Sequence, residues 1–113
     1  MDQSGGQLDL LLLAVLADGP LHGYAVIAAL RARSQGTFDL PEGTVYPALH
    51  RLEAAGTLHS SWQRIQGRKR RVYELTRAGD AARDAERMRW QRFVASIDAV
   101  VGSAPAVARD RSA

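Results

Sequence analysis

Between Gly43 and Leu75 the chain reads GTVYPALHRLEAAGTLHSSWQRIQGRKRRVYEL. This segment constrains the fold more than any other. Val45, Leu49 and Leu52 recur at helical spacing and predict an inward stripe, with Gly56 as the C-terminal glycine. Leu58 to Trp62 then alternates as a strand, and so does the set Arg71, Tyr73 and Leu75, with Gly67 marking the turn between them. A short helix leading at once into a hairpin is the element order of a winged helix.

The hairpin is also where the charge sits. Arg64, Arg68, Lys69, Arg70 and Arg71 lie in a stretch without an acid, whereas the whole chain carries a net charge of only +3. The remainder is therefore slightly negative. A basic cluster on a nearly neutral body points to a local contact with a polyanion. Charge pattern alone equally permits a solvated, arginine-rich turn. Placed after the helix, the cluster predicts DNA binding, with the helix in the major groove and the hairpin on the flanking phosphates.

Composition excludes several classes. A chain of 113 residues with 46% apolar content is one domain with a small core. It has no cysteine, which removes disulfides and thiolate metal sites, and His22, His50 and His59 lack ligand spacing. No nucleophile–base pair, paired carboxylates or phosphate loop stands at useful spacing, so we expect no enzyme, catalytic residue, metal or cofactor. The polar, glycine-rich start does not resemble a signal peptide. The apolar run Leu8 to Ala17 contains Asp9 and is too short for a bilayer, so a cytoplasmic protein without a membrane partner is expected.

Along the chain, Met1 to Gly6 reads as weakly ordered and Gln7 to Ala17 as a helix. Asp18-Gly19-Pro20 is a turn, and Leu21 to Arg33 a second helix. The third helix is expected to start between Pro41 and Thr44. Either Pro41 sits at the first helical position or Thr44 is the N-cap, and Pro47 argues for the later start or a distorted first turn. Thr76 caps a last helix that runs to about Val101 and ends at Gly102. The fold class is α+β, mainly α with a small β-hairpin. A winged helix-turn-helix spans residues 1–75, a C-terminal dimerisation helix 76–102 and a flexible tail 103–113. The stripe Trp90, Phe93, Val94, Ile97, Val100 and Val101 has no cover in so small a domain. It predicts a two-fold homodimer in which the last helix packs on its mate and on the first helix, where Leu12 joins the interface.

For DNA contact the residues selected are Tyr24, Thr44, Tyr46, Pro47, His50 and Arg51 on the helices and Arg68, Lys69 and Arg70 on the wing. Tyr46 either offers a hydroxyl to phosphate, since Val45 and Leu49 already fill the inward face, or packs as a core tyrosine against the second helix. Thr44 either caps or faces phosphate. Arg51 reaches phosphate or a guanine edge, or else pairs with Glu53 or another surface acid. Alternation should send Arg68 and Arg70 to one face of the hairpin, Lys69 and Arg71 to the other. Trp62 is expected to pack under the hairpin. A winged-helix module that binds protein and not DNA is the alternative.

His22-Gly23-Tyr24, the run Gly43 to Leu49, Arg51-Leu52-Glu53, and the run Arg70 to Thr76 together resemble the PadR family of transcriptional repressors, over roughly residues 8 to 101. The single C-terminal helix is similar to the short subfamily that includes multidrug sensors. The resemblance implies a homodimeric repressor on a palindromic operator near its own or a neighbouring gene, and a possible small-molecule effector that weakens the DNA complex. In the multidrug sensors a tryptophan on the last helix stacks flat drugs at the dimer centre, and Trp90 falls at the matching position. The resemblance would place Leu10, Leu13, Gln91 and Val94 around the same space. Arg87, one turn before Trp90, departs from the aromatic of the multidrug sensors and favours a polar or anionic effector, or none.

Overall fold

The computed structural model describes residues 3–102. Its elements run α1 (Gln3–Leu16), β1 (Leu21–His22), α2 (Gly23–Arg33), α3 (Glu42–Ala54), β2 (Leu58–Ile65), β3 (Arg68–Leu75) and α4 (Arg77–Val101). The proposed tail, 103–113, lies outside the described residues. The α+β winged-helix architecture is the one expected, and the boundaries differ in three places.

The first helix starts earlier than Gln7. It runs back through Gly5 and Gly6 despite the weak helix propensity of glycine. A Cβ added at Gly6 would lie 3.5 Å from Glu86 Oε1, so α4 closely backs the start of α1. Second, Leu21 and His22 are not helical. They form an edge strand paired antiparallel with β3, Leu21 opposite Tyr73 and His22 opposite Val72. Third, the hairpin strands are longer than expected, because their tips are held by backbone pairing and not by burial. They remain in register from Leu58–Leu75 to Ile65–Arg68. Gln66 and Gly67 make the turn with φ of 51° and 79°, the positive-φ pair that a tight hairpin requires.

The third helix starts within its expected range, at the early end. Pro41 sits at the N-cap without a side-chain cap, and Thr44 and Val45 donate backbone bonds to its carbonyl at 3.0 and 3.1 Å. Thr44 is therefore not the N-cap. Pro47 stands inside the helix and removes the bond that its position would have donated to Gly43.

The core joins α1 to the inward stripe of α3. Leu12, Leu13, Leu16, Val26, Val45, Leu49, Leu58 and Tyr73 form one buried cluster. This corrects two expectations. Leu12 and Leu13 are almost fully buried inside the chain, so Leu12 is not free to form a dimer interface and Leu13 is not free to line an effector site. The leucine-rich run is apolar on several sides because α1 packs against α2, α3, β3 and α4 at once.

Thr76 caps α4 by accepting from the Gly79 N–H at 3.0 Å, and its own hydroxyl donates to the Gly56 carbonyl at 2.7 Å. Gly79 is buried, and a Cβ there would overlap the carbonyl oxygen of Thr57. Alanine in place of a helical glycine ordinarily gains about 1 kcal/mol. Gly79→Ala should reverse that sign and destabilise by about 1–3 kcal/mol, measured as a lower urea midpoint at unchanged m-value.

Candidate nucleic-acid interface

The edge strand, α3 and the hairpin enclose a cleft lined by His22, Gly23, Tyr24, Tyr46, His50, Trp62, Lys69, Arg70, Arg71 and Tyr73. No carboxylate is among them. Helical periodicity puts Tyr46 and His50 on the same side of α3 while Val45 and Leu49 go to the core. Tyr24 stands exposed at the start of α2 and Thr44 and Pro47 are exposed on α3.

Tyr46 leans on Gly23. A Cβ at position 23 would overlap the Tyr46 ring, so the absent side chain is what lets the ring pack there. Burial, followed by the negative charge of Glu42, pushes the phenol pKa up, against a downward pull from Arg70. The phenol therefore stays protonated at neutral pH and remains a donor.

The five basic hairpin residues divide by partner. Arg64 donates to the Gly67 carbonyl at 3.0 Å and closes the turn. Arg71 donates from Nε to Ser60 Oγ at 2.8 Å, and lies 3.9 Å from Glu53 at the end of α3. Ser60 in turn donates to Glu53 at 2.6 Å. Among the described residues, no carboxylate pairs with Arg68, Lys69 or Arg70. These three are the residues that sequence reasoning selected.

Arg51 is placed differently. Its guanidinium makes a two-pronged bond with Asp9 of α1, at 2.8 and 3.2 Å, and that bond raises its pKa. The surface-acid alternative describes it, but the acid is Asp9, distant in sequence, and not the nearby Glu53, which is engaged by Ser60 and Arg71. Arg51 does not line the cleft. Trp62, expected beneath the hairpin, is instead more than half exposed on the cleft face. Its cross-strand partner is Arg71, and the alternation that pairs them was visible, but which face would be covered was not.

The second candidate region is α4. Its far half exposes Met88, Trp90, Phe93, Ile97, Val100 and Val101, and the Trp90 and Phe93 rings lie 5.5 Å apart. Arg87 and Gln91 are exposed beside them, while Leu10 of α1 and Val94 are half-buried.

A three-helix head with a basic two-stranded wing and a long trailing helix is the winged helix-turn-helix architecture. Residues 12–85, well over half of the chain, match the Transcriptional regulator PadR-like family, and the chain belongs to it. That family is one of transcriptional regulators and not of enzymes. The chain is 44% identical over 71 residues to Transcriptional regulator Rv3488 of Mycobacterium tuberculosis, a match covering 63% of this chain and 64% of that protein. The chain thus spans just under two thirds of that relative. Among solved structures, smu.1704 from Streptococcus mutans UA159 superimposes with a TM-score of 0.79 at 28% identity, covering 88% of this chain and 90% of that one. A PadR family transcription regulator from Clostridium difficile R20291 does so at 0.68 and 28%, covering 83% and 96%.

The Gly23–Tyr46 contact is testable by coupling. Gly23→Ala should cost about 1–3 kcal/mol in denaturant titrations. The same substitution in a Tyr46→Ala background should cost clearly less, because the ring that is struck is gone.

Proposed function

We propose that this chain is a DNA-binding transcriptional regulator that acts as a two-fold dimer on a palindromic operator. The observation that carries this reading is the pair Lys69 and Arg70, which line one cleft with the Tyr46 face of α3 and, with Arg68 at the hairpin tip, have no acid partner among the described residues. A cleft rich in aromatic and cationic groups and free of carboxylates suits a sugar–phosphate backbone. Tyr24, Thr44, Tyr46, Pro47 and His50 supply the helical side of this contact. Arg51 is assigned to the α1–α3 tie. The basic wing argues against a module that binds only protein.

In this reading residues 1–75 form the DNA-binding head and residues 76–102 the dimerisation helix. No helix among the described residues is long and apolar enough to cross a membrane, so the apolar half of α4 suits a protein partner. A second copy offers the same stripe and would set two wings at a fixed spacing, as a two-fold operator requires. Repression is the regulatory sense we assign, through occupation of an operator near its own or a neighbouring promoter, in the cytoplasm. An effector would enter beside Trp90, Gln91, Val94 and Leu10, where Arg87 favours a polar or anionic molecule. Its binding would change the spacing of the wings.

Anisotropy titrations with a duplex from upstream of its own gene test the DNA reading. The logarithm of affinity should fall linearly with the logarithm of salt concentration. Changing Arg68, Lys69 and Arg70 together to Ala should reduce that slope by roughly 0.9 per lost phosphate contact, about 2.7 if all three contribute. An unchanged slope and affinity would contradict the wing assignment.

Sedimentation equilibrium tests the dimer. The wild-type chain should sediment as a dimer at micromolar concentration, and Ile97→Asp with Val100→Asp should give a folded monomer. A monomeric wild type would overturn the assignment of α4.

A further inference from the structure

Trp62 is a large aromatic that neither the core nor the α4 stripe accounts for. It lies on β2 with Arg71 directly opposite on β3. Lys69, two residues before Arg71, shares that face by strand alternation and is the diagonal neighbour. Both cations sit over the indole: Lys69 Nζ is 5.6 Å and Arg71 Cζ 5.4 Å from a ring centroid. Such distances place a cation in the attractive field of the ring face. The two cations differ in what else they touch. Arg71 is held by Ser60 and approaches Glu53. Among the described residues Lys69 has no carboxylate partner, so the indole is the group that restrains its flexible ammonium.

We propose that Trp62 is a positioning residue of the wing: its ring holds the Lys69 ammonium at the cleft edge and, through Arg71, Ser60 and Glu53, ties the hairpin to the last turn of α3. A lysine on an exposed hairpin ordinarily samples many rotamers and loses that freedom when it meets phosphate. Resting on a ring, it has lost part of it beforehand. The consequence for DNA rests on the proposed function, whereas the clamp itself does not.

The test uses the full chain labelled with 5-fluorotryptophan. It contains two tryptophans, so fluorine NMR gives a signal from Trp62 and one from Trp90, assigned by loss in Trp62→Phe. Lys69→Met and Arg71→Met should each move the Trp62 signal and leave that of Trp90 in place. A Trp62 signal indifferent to both overturns the clamp. Anisotropy with the upstream duplex then reads the consequence. Trp62→Leu should weaken binding roughly two- to fivefold. It should also lower the salt slope by about one contact. Trp62→Phe, which keeps a ring face, should recover most of both. In a background with Lys69→Met and Arg71→Met, Trp62→Leu should add little. Equal losses for Leu and Phe, or a full further loss with both cations removed, would assign the indole its own DNA contact and overturn the positioning role. An unchanged Trp90 signal in each variant reports an intact fold. If the wild type fails to bind duplex at low salt, the DNA reading falls and takes the consequence with it, while the fluorine shifts still decide the clamp.

Discussion

Strand β3 is hydrogen-bonded on both sides, and the cleft exists because of that. On one side it pairs with Leu21 and His22, which brings Gly23 and Tyr24 to the cleft wall. On the other it pairs with β2 along the whole hairpin. Tyr73, in the middle, is buried and serves the core. Its phenol is pushed up in pKa chiefly by loss of solvent, so the central strand carries no charge at that point. The same strand continues outward as Arg68 to Arg71. One element therefore fixes both the start of α2 and the basic edge, and α3 is trapped between them.

The electrostatics follow from competition for partners. A hairpin with five cations in so short a stretch would repel itself if all were free. Two of them serve the structure: Arg64 on the turn carbonyl and Arg71 near the Glu53 end of α3. These are exposed contacts, each of modest strength in water. Their larger effect is geometric, since they keep the hairpin closed and leaning on α3. The remaining charge is concentrated on Arg68, Lys69 and Arg70. Arg51 shows the same competition from the other side of α3, where Asp9 draws it onto α1.

What could be read from the chain depended on whether a signal was local. The inward stripe of α3 followed from spacing, and the Thr76 cap and the terminal glycines of α3 and α4 followed from side-chain and backbone chemistry within a single turn. The two-residue strand Leu21–His22 left no such trace, because it is strand only by virtue of a partner about fifty residues away. Leu12 read as an interface candidate since the run around it is apolar all round, and periodicity cannot say which neighbour covers which side; Leu13 entered as an effector-site candidate through the family resemblance, which carries no record of what covers it in this chain. Trp62 was misplaced for a related reason: alternation identifies two faces, and only the position of α3 decides which one meets protein.

The sequence by itself determined the order of elements, the identity of the basic cluster, the inward face of α3 and the unpartnered stripe of α4, all of which rest on short-range periodicity and on residue chemistry. Tertiary structure alone decided which cations keep their charge available, that Gly23 makes room for the Tyr46 ring, and that Trp62 stands between Lys69 and the brace to α3. Those outcomes come from contacts between elements far apart in the chain. Burial and ion pairing are set by what lies across a gap in space, and a linear pattern carries no record of it.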